Sequence, residues 1–335
     1  MRDYRTVKAL LSLGDVNPDI IIPYGETLAV TEAVRRGDTS MKRPGAELRP
    51  GGSIGNCAAG IARLGGRSWF AGKVGDDAYG CFLRDDFEAA GVDTRYLAMD
   101  KNFYTVMVIA VVGTDRERVL YALPKEHGSH LKLTRNDLPD RMLDEIGWVH
   151  TSGIMLREDP AGDAVVNFLE RAHTHGVTVS FDLNMRLEAM TLSGLYREYI
   201  DRAVDSCHIL FGNGLEELCP LTGKSDPAEA SIALARNDRI VVCRLGRYGS
   251  KIFSADGELC SCGAFDVEVR DTIGAGDTFN AGFITAAAKG LPLEIANLHG
   301  NAAACYNLCY EGARNCPSPE QLEKFLKKYH GRFVR

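Results

Sequence analysis

The feature that most constrains this chain is its rhythm, in which short apolar runs alternate with segments whose apolar residues recur at helical spacing. Val7–Leu13, Ser68–Val74, Trp148–Ser152, Val177–Asp182, Ile209–Phe211 and Ile240–Leu245 read as strands. Ser53–Leu64, Asp77–Ala90, Pro160–His175, Leu192–Val204 and Pro227–Arg236 read as helices, and Gly65-Gly66 and Gly91 supply stops for the first two. Parallel strands need crossover connections, so this βαβα order predicts a mostly parallel sheet with helices on both faces. The C-terminal part reads as helical over Ala275–Lys289, Leu293–Tyr310 and Pro319–Tyr329.

Two stretches break the rhythm. Asp19–Arg49 and Phe103–Leu123 carry β-branched and turn residues and no good helix, and the second reads as a hairpin around Gly113–Glu117. Together they could form a small separate sheet: a flap over a site, a dimer interface, or peripheral strands without a role.

Bulk properties exclude some partners. The formal net charge of the 335 residues is −6, which argues against nucleic acid, since that partner would want a basic face. The ten cysteines include no C-x-x-C pair, and Cys260/Cys262 and Cys305/Cys309 lack further ligands nearby. They read as reduced thiols packed as small hydrophobes, which implies a reducing compartment. No apolar run approaches the roughly 18 residues of a membrane span. MRDYRTVKALLSLGD lacks a cleavage site and carries Lys8 within its apolar stretch, so it reads as a first strand rather than a signal peptide. The expected location is the cytoplasm.

Phosphate chemistry needs donors, and backbone N–H groups at a helix start provide them. Gly223-Lys224-Ser225 resembles the end of a P-loop, but the required first glycine falls on Leu218. No G-x-G-x-x-G follows an expected strand, so a dinucleotide-binding dehydrogenase loses support. The informative segment is VEVRDTIGAGDTFNAGF, where a strand over Val267–Val269 runs through Gly274-Ala275-Gly276-Asp277 into a long helix. Small residues there let successive amides converge on one anion. Asp277, in the first turn, could accept a proton from an attacking hydroxyl. It could equally be an acid favoured by the helix dipole, and the local residues leave both readings open. In RPGGSIGNCAAGIARLGG, Gly51-Gly52 precedes a helix of small residues, with Asn56 in its first turns. That is either a ligand-binding turn or merely a tight one.

These two segments resemble the paired signatures of the phosphofructokinase-B, or ribokinase-like, family of carbohydrate and nucleoside kinases. The resemblance continues in order through SLGDVNPDI, FAGKVGDDAYGCFLRDDFEAAGVDT, FDLNMR, NGLE and RLGRYG, and so covers most of the chain. It implies a three-layer α/β/α sandwich, a single domain over 1–335, with a mostly parallel central sheet. A small β-sheet lid would come from insertions 19–49 and 103–123. It implies transfer of the γ-phosphate of ATP to a sugar hydroxyl, with Asp277 as the base and Gly274, Ala275 and Gly276 as the anion hole. Asp19, Gly51, Gly52, Asn56 and Arg186 would contact substrate. Asn213 and Glu216 would help position Mg²⁺, through water, while Gly246, Gly249 and Asn301 would lie along ATP. Asp271 matches a region that binds a monovalent cation such as K⁺ in some relatives. A homodimer through lid strands is also implied.

The substrate is less directly written. FDLNMR is similar to segments of 2-keto-3-deoxygluconate kinases and fructokinases. Thr105–Val111 reads TVMVIAV, without the Arg that would meet a keto-acid carboxylate, which favours a neutral, fructose- or ribose-like sugar. Arg116 and Arg118 lie close by. A keto-acid or a nucleoside is the alternative, and a non-catalytic sugar- or nucleotide-binding protein on the same fold is the alternative from another class.

Overall fold

The computed structural model describes residues 2–113, 118–123, 128–187, 191–236, 238–329 and 331. In chain order, the first half contains β1 (Ala9–Leu13), β2 (Asn17–Ile22), α1 (Tyr24–Arg35), β3 (Glu47–Gly51), α2 (Ser53–Arg63), β4 (Ser68–Gly75), α3 (Ala78–Ala89), β5 (Asp93–Asp100), β6 (Met107–Val112), β7 (Arg118–Leu123), α4 (Arg141–Glu145) and β8 (Ile146–Ser152). The second contains α5 (Ala161–Thr174), β9 (Thr178–Asp182), α6 (Gly194–Ser206), β10 (Ile209–Asn213), α7 (Cys219–Thr222), α8 (Pro227–Leu234), β11 (Ile240–Arg244), β12 (Ser250–Ser254), β13 (Gly257–Cys262), α9 (Ala275–Ala288), α10 (Leu293–Leu308) and α11 (Pro319–Lys328).

Nine strands form one sheet in the order β13-β12-β11-β10-β9-β8-β1-β4-β5. Its pairings are parallel except for β11-β12 and β12-β13. The central strands are buried along their length, which is why they read as continuous apolar runs rather than alternating ones. One face packs the core under α5, α6 and α8, around Phe168, Ile200 and Ala230. The other packs α9, α10 and α11 with the end of α2, around Phe211, Phe279 and Phe283. The three layers match the sequence expectation.

The second sheet is small and has the order β3-β2-β6-β7. It is mixed: β2 pairs antiparallel with β3 and parallel with β6, and β6 pairs antiparallel with β7. The expected turn Gly113–Glu117 lies largely outside the described residues.

Two sequence expectations need correction. Asp19–Arg49 does contain a helix, α1, with Val30 and Ala33 buried at i, i+3 spacing. Tyr24, Leu28 and Val34 on its other sides stay exposed, which blurred the amphipathic signal. Val267–Val269 is not a strand. The Arg270 N–H donates to the C=O of Leu308 at the end of α10, so this segment pairs with a helix end instead of the sheet. The edge hairpin β12-β13 and the strand β5 were not anticipated.

No helix among the described residues is long and apolar enough to cross a membrane. All ten cysteines are free thiols.

Candidate active site

The C-terminal ends of β1, β9, β10 and β11 converge where α2 and α9 begin, the usual place for a ligand crevice in an open parallel sheet. The two helices approach closely because small residues face each other: a side chain on Gly60 would put its Cβ 2.7 Å from that of Ala281. This closeness joins residues far apart in sequence. The Asn56 Nδ2 donates to Asp277 Oδ2 at 2.9 Å.

The start of α9 is shaped by Gly274, whose φ of 73° lies in the left-handed region that glycine adopts at little cost. A side chain there would also overlap the backbone of Ala313. Helical bonding begins with the Thr278 N–H donating to Gly274 C=O at 2.8 Å. The amides of Ala275, Gly276 and Asp277 therefore have no acceptor within the regular helix and present partial positive charge. Asp277 itself is partly accessible, a carboxylate on the floor of a cleft with protein around it. Desolvation pushes its pKa up to about 7; the Asn56 hydrogen bond opposes the rise, Asp182 and Asp15 add to it, and Arg186 opposes it.

Asp15 and the FDLNMR segment set the walls. Asp15 is buried, and its carboxylate accepts from the N–H groups of Ser53 at 2.8 Å and Ile54 at 3.3 Å, fixing the start of α2. Burial raises the Asp15 pKa. After β9, Asn184 and Arg186 hold φ values of 33° and 52°, the positive-φ non-glycine residues among those described. Such strain persists only where surroundings fix it. Here the Asn184 Nδ2 donates to Ser53 Oγ at 2.8 Å, and the Met185 N–H donates to Glu217 at 3.1 Å. Arg186 projects from this loop and is exposed.

Beneath α9 lies an ion cluster that sequence reasoning missed. Arg244, at the end of β11, donates both terminal nitrogens to Asp182, at 2.8 and 2.7 Å. Its Nη1 also reaches the C=O of Gly276 at 3.4 Å and Asn280 Oδ1 at 3.3 Å. Asn280 Nδ2 donates to Asp182 at 2.5 Å, and Glu217 stands 3.7 Å from the guanidinium. Burial, then the Asp182 charge, raises the Glu217 pKa. A signal for this cluster was present, since FDLNMR and RLGRYG each put a charge at the end of a buried strand, where it requires a partner.

In the small sheet, Asp19 lies on β2 between Arg49 of β3 and Val108 of β6. Its carboxylate accepts from Asn17 Nδ2 at 2.6 Å. It also rests over Gly51, where any side chain would overlap it. Gly52 follows as the residue before α2. Arg314, also unanticipated, reaches in from the loop after α10 and donates to Asn56 Oδ1 at 3.1 Å and the C=O of Gly51 at 3.3 Å.

The remaining expected residues fall into three separate groups. Asn213 and Glu216 are joined, with Asn213 Nδ2 donating to Glu216 at 2.9 Å and Asn213 Oδ1 accepting from the Leu215 and Glu216 N–H groups. Gly246 and Gly249 bound the turn between β11 and β12. Asn301, on α10, is buried beside that turn and donates to Ser250 Oγ at 2.6 Å. Asp271 is buried in the loop before α9, and its carboxylate accepts from the N–H groups of Ile273 at 3.1 Å and Gly312 at 2.9 Å. Among the described residues, no group of three or more His, Cys, Asp or Glu could hold a metal ion.

Comparison with known proteins identifies the family. The family model described as "pfkB family carbohydrate kinase" matches residues 10–321. The chain is 30% identical to a 5-dehydro-2-deoxygluconokinase of Geobacillus thermodenitrificans, over 83% of this chain and 84% of the relative. It is 32% identical to a fructokinase of Klebsiella pneumoniae, over 74% and 80% of the respective chains. A solved aminoimidazole riboside kinase from Salmonella enterica, complexed with aminoimidazole riboside and an ATP analog, superposes with a TM-score of 0.76 at 27% identity, covering 95% of this chain and 99% of that one. The chain belongs to the pfkB family of carbohydrate kinases, phosphotransferases that act on sugars.

Proposed function

We propose that this kinase transfers the γ-phosphate of ATP to a hydroxyl of a small neutral sugar, with Asp277 as the base. The observation that carries the proposal is the position of Asp277. One carboxylate, with its pKa raised to about 7, sits in the first turn of α9 beside the amides of Gly276 and Asp277, which have no acceptor within the helix, and that of Ala275, which makes only a long 3.4 Å bond to the Thr272 C=O. Asp277 Oδ accepts the proton of the sugar hydroxyl as its oxygen attacks the γ-phosphorus, the bond from that phosphorus to the bridging oxygen breaks, and ADP leaves. The N–H groups of Ala275, Gly276 and Asp277 stabilise the charge on the transferring group. Arg244, anchored by Asp182, holds the Gly276 carbonyl from below and keeps those amides aimed. ATP as donor is supported by the ATP analog bound to the aminoimidazole riboside kinase.

The sugar would lie between Asp19, Gly51, Gly52, Asn56 and Arg186, with Gly246, Gly249 and Asn301 along the nucleotide. A divalent ion fits Glu216 and Asn213, because Mg²⁺ bound largely by phosphates and water needs only one or two carboxylates. When bound it supplies neutralisation of phosphate charge. A potassium ion at Asp271 would have to share oxygens that already accept backbone N–H groups, so the local geometry supports a hydrogen-bonded clasp more than a cation site.

A neutral sugar is supported by Val108, an apolar neighbour in register with Asp19. A substrate carrying a carboxylate is the second reading, favoured by Arg49, in register with Asp19 on its other side. We also propose that residues 19–49 and 103–123 act as a lid and pair two copies. Val119, Tyr121 and Leu123 alternate along β7, are all exposed, and offer an apolar strip for that contact. An ADP-release screen over neutral sugars, sugar acids and nucleosides tests the substrate. ADP release with none of them, at any substrate concentration, would overturn the proposal.

A further inference from the structure

Asn56 has two chemically different ends, and the fold dictates which end meets Asp277. An amide can rotate to present either N–H or C=O, and the two choices have opposite consequences. A donated N–H stabilises the charged carboxylate, whereas a presented oxygen would accept a hydrogen bond from the protonated acid.

Arg314 makes the choice. Its guanidinium has only donors, so the Nε that reaches Asn56 at 3.1 Å must meet the oxygen, which leaves the amide nitrogen for Asp277. The guanidinium is itself held on three other sides. It pairs with the Asp86 carboxylate of α3, donates to Gly51 C=O, and lies 5.2 Å from the Phe87 ring centroid. Only 13% of the Arg314 side chain is exposed. Each element around Asp277 contributes a charged or titratable group: Asp15 after β1, Asp182 and Arg186 at the end of β9, Arg244 of β11, and Cys57 of α2. None of these has a hydrogen bond to the Asn56 amide, and burial keeps the Cys57 thiol neutral.

We propose that Arg314 is a positioning residue that locks the amide of Asn56 and thereby keeps Asp277 ready to accept a proton. The proposal rests on Asp277 being the base. Loss of Arg314 frees the amide to turn its oxygen toward a protonated Asp277 and also removes a nearby positive charge. Both changes favour the acid form.

The test is the pH dependence of kcat/KM for wild type, Arg314→Gln, Arg314→Lys, Asn56→Ala and the double variant Asn56→Ala/Arg314→Gln, with folding checked by thermal melting. Arg314→Gln should move the acid limb up by about one pH unit, a roughly tenfold loss below the limb, with a much smaller loss above it. Arg314→Lys keeps the charge but not the fork, and should move the limb in the same direction by less. In the Asn56→Ala background, Arg314→Gln should move it less than in the wild type. A folded Arg314→Gln enzyme that loses activity equally at all pH values, with its limb in place, overturns the proposal. If Arg314→Gln does not fold, Arg314→Lys and Asp86→Asn carry the same comparison, and unmoved limbs in both overturn it. Turnover retained by Asp277→Asn would instead overturn the assignment of the base, so the two failures are distinguishable.

Discussion

Asn56 and Asp277 lie 221 positions apart in the chain and are joined by a 2.9 Å hydrogen bond. The bond links the start of α2 to the start of α9. It also occupies Oδ2 of the proposed base.

Asp277→Asn keeps the shape of the helix start and removes the proton acceptor. We expect ATP-dependent phosphorylation to fall by about 10²–10⁴-fold, the usual worth of a general base. Sugar binding, measured by calorimetry without nucleotide, should change by only a few-fold. Turnover near the wild-type level would remove Asp277 from the mechanism.

The pH dependence of kcat/KM should carry an acid limb near pH 7. Desolvation raises the Asp277 pKa to about 7, and a base is active only when ionised. Activity should therefore fall about tenfold for each unit below the limb. A flat profile between pH 5.5 and 8 would contradict the raised pKa.

The same shift has a signature in stability. The folded pKa of about 7 exceeds the ordinary value of 3.8. The folded state thus binds the proton more tightly, a stabilisation fully present below pH 3.8 and lost as pH rises through 7. Above that the ionised carboxylate costs at most about 4 kcal/mol, and less because solvent reaches it. Asp277→Asn should melt above wild type at pH 8, and the gap should shrink as pH falls toward 4. A gap that widens on acidification would show the sign to be wrong.

Arg244→Met leaves Asp182, which is only 5% exposed, without its bidentate partner. Breaking such a pair from one side costs about 3–5 kcal/mol. We expect a drop of that size in denaturant unfolding, together with lower kcat, since the Gly276 carbonyl loses its support. Adding Asp182→Asn should restore part of the stability and none of the rate.

Gly51→Ala places a methyl group where the Asp19 carboxylate rests. Asp19 must then turn away from Gly51. The KM for sugar should rise about tenfold or more while the KM for ATP moves little. Equal changes in both would mean that the substitution disturbs the fold rather than the sugar site.

Much of this was legible in sequence because backbone chemistry and residue type coincide. Gly274-Ala275-Gly276-Asp277 reads as a helix start from its residues, with anion binding one of two open readings, and the structure places a helix start there. The buried strands announced themselves as unbroken apolar runs. Other features were hidden for identifiable reasons. The helix α1 buries Val30 and Ala33 while leaving Leu28 and Val34 exposed, so its periodicity is weak. Val267–Val269 has strand-like residues but forms no strand, and the Arg270 N–H just after it donates to Leu308 at the end of α10. Arg314 lies in an irregular loop, where no period predicts a contact, and its three partners come from α2, α3 and the end of β3. Asp15 differs from Asp19 only in where the chain turns, which the sequence does not state.

The order in which the cleft is assembled has a consequence for synthesis. Asp15, Gly51 and Asn56 leave the ribosome early, whereas Asp277 and Arg314 come from the last fifth of the chain. All nine strands of the central sheet, the last ending at Cys262, precede the start of α9. A nascent chain can therefore bury much of its core while lacking both the base and the arginine that orients its partner. On the proposed mechanism the ability to activate a hydroxyl arises only after residue 314 has joined the fold, so chains stopped before it would carry no phosphate-transfer activity to misdirect.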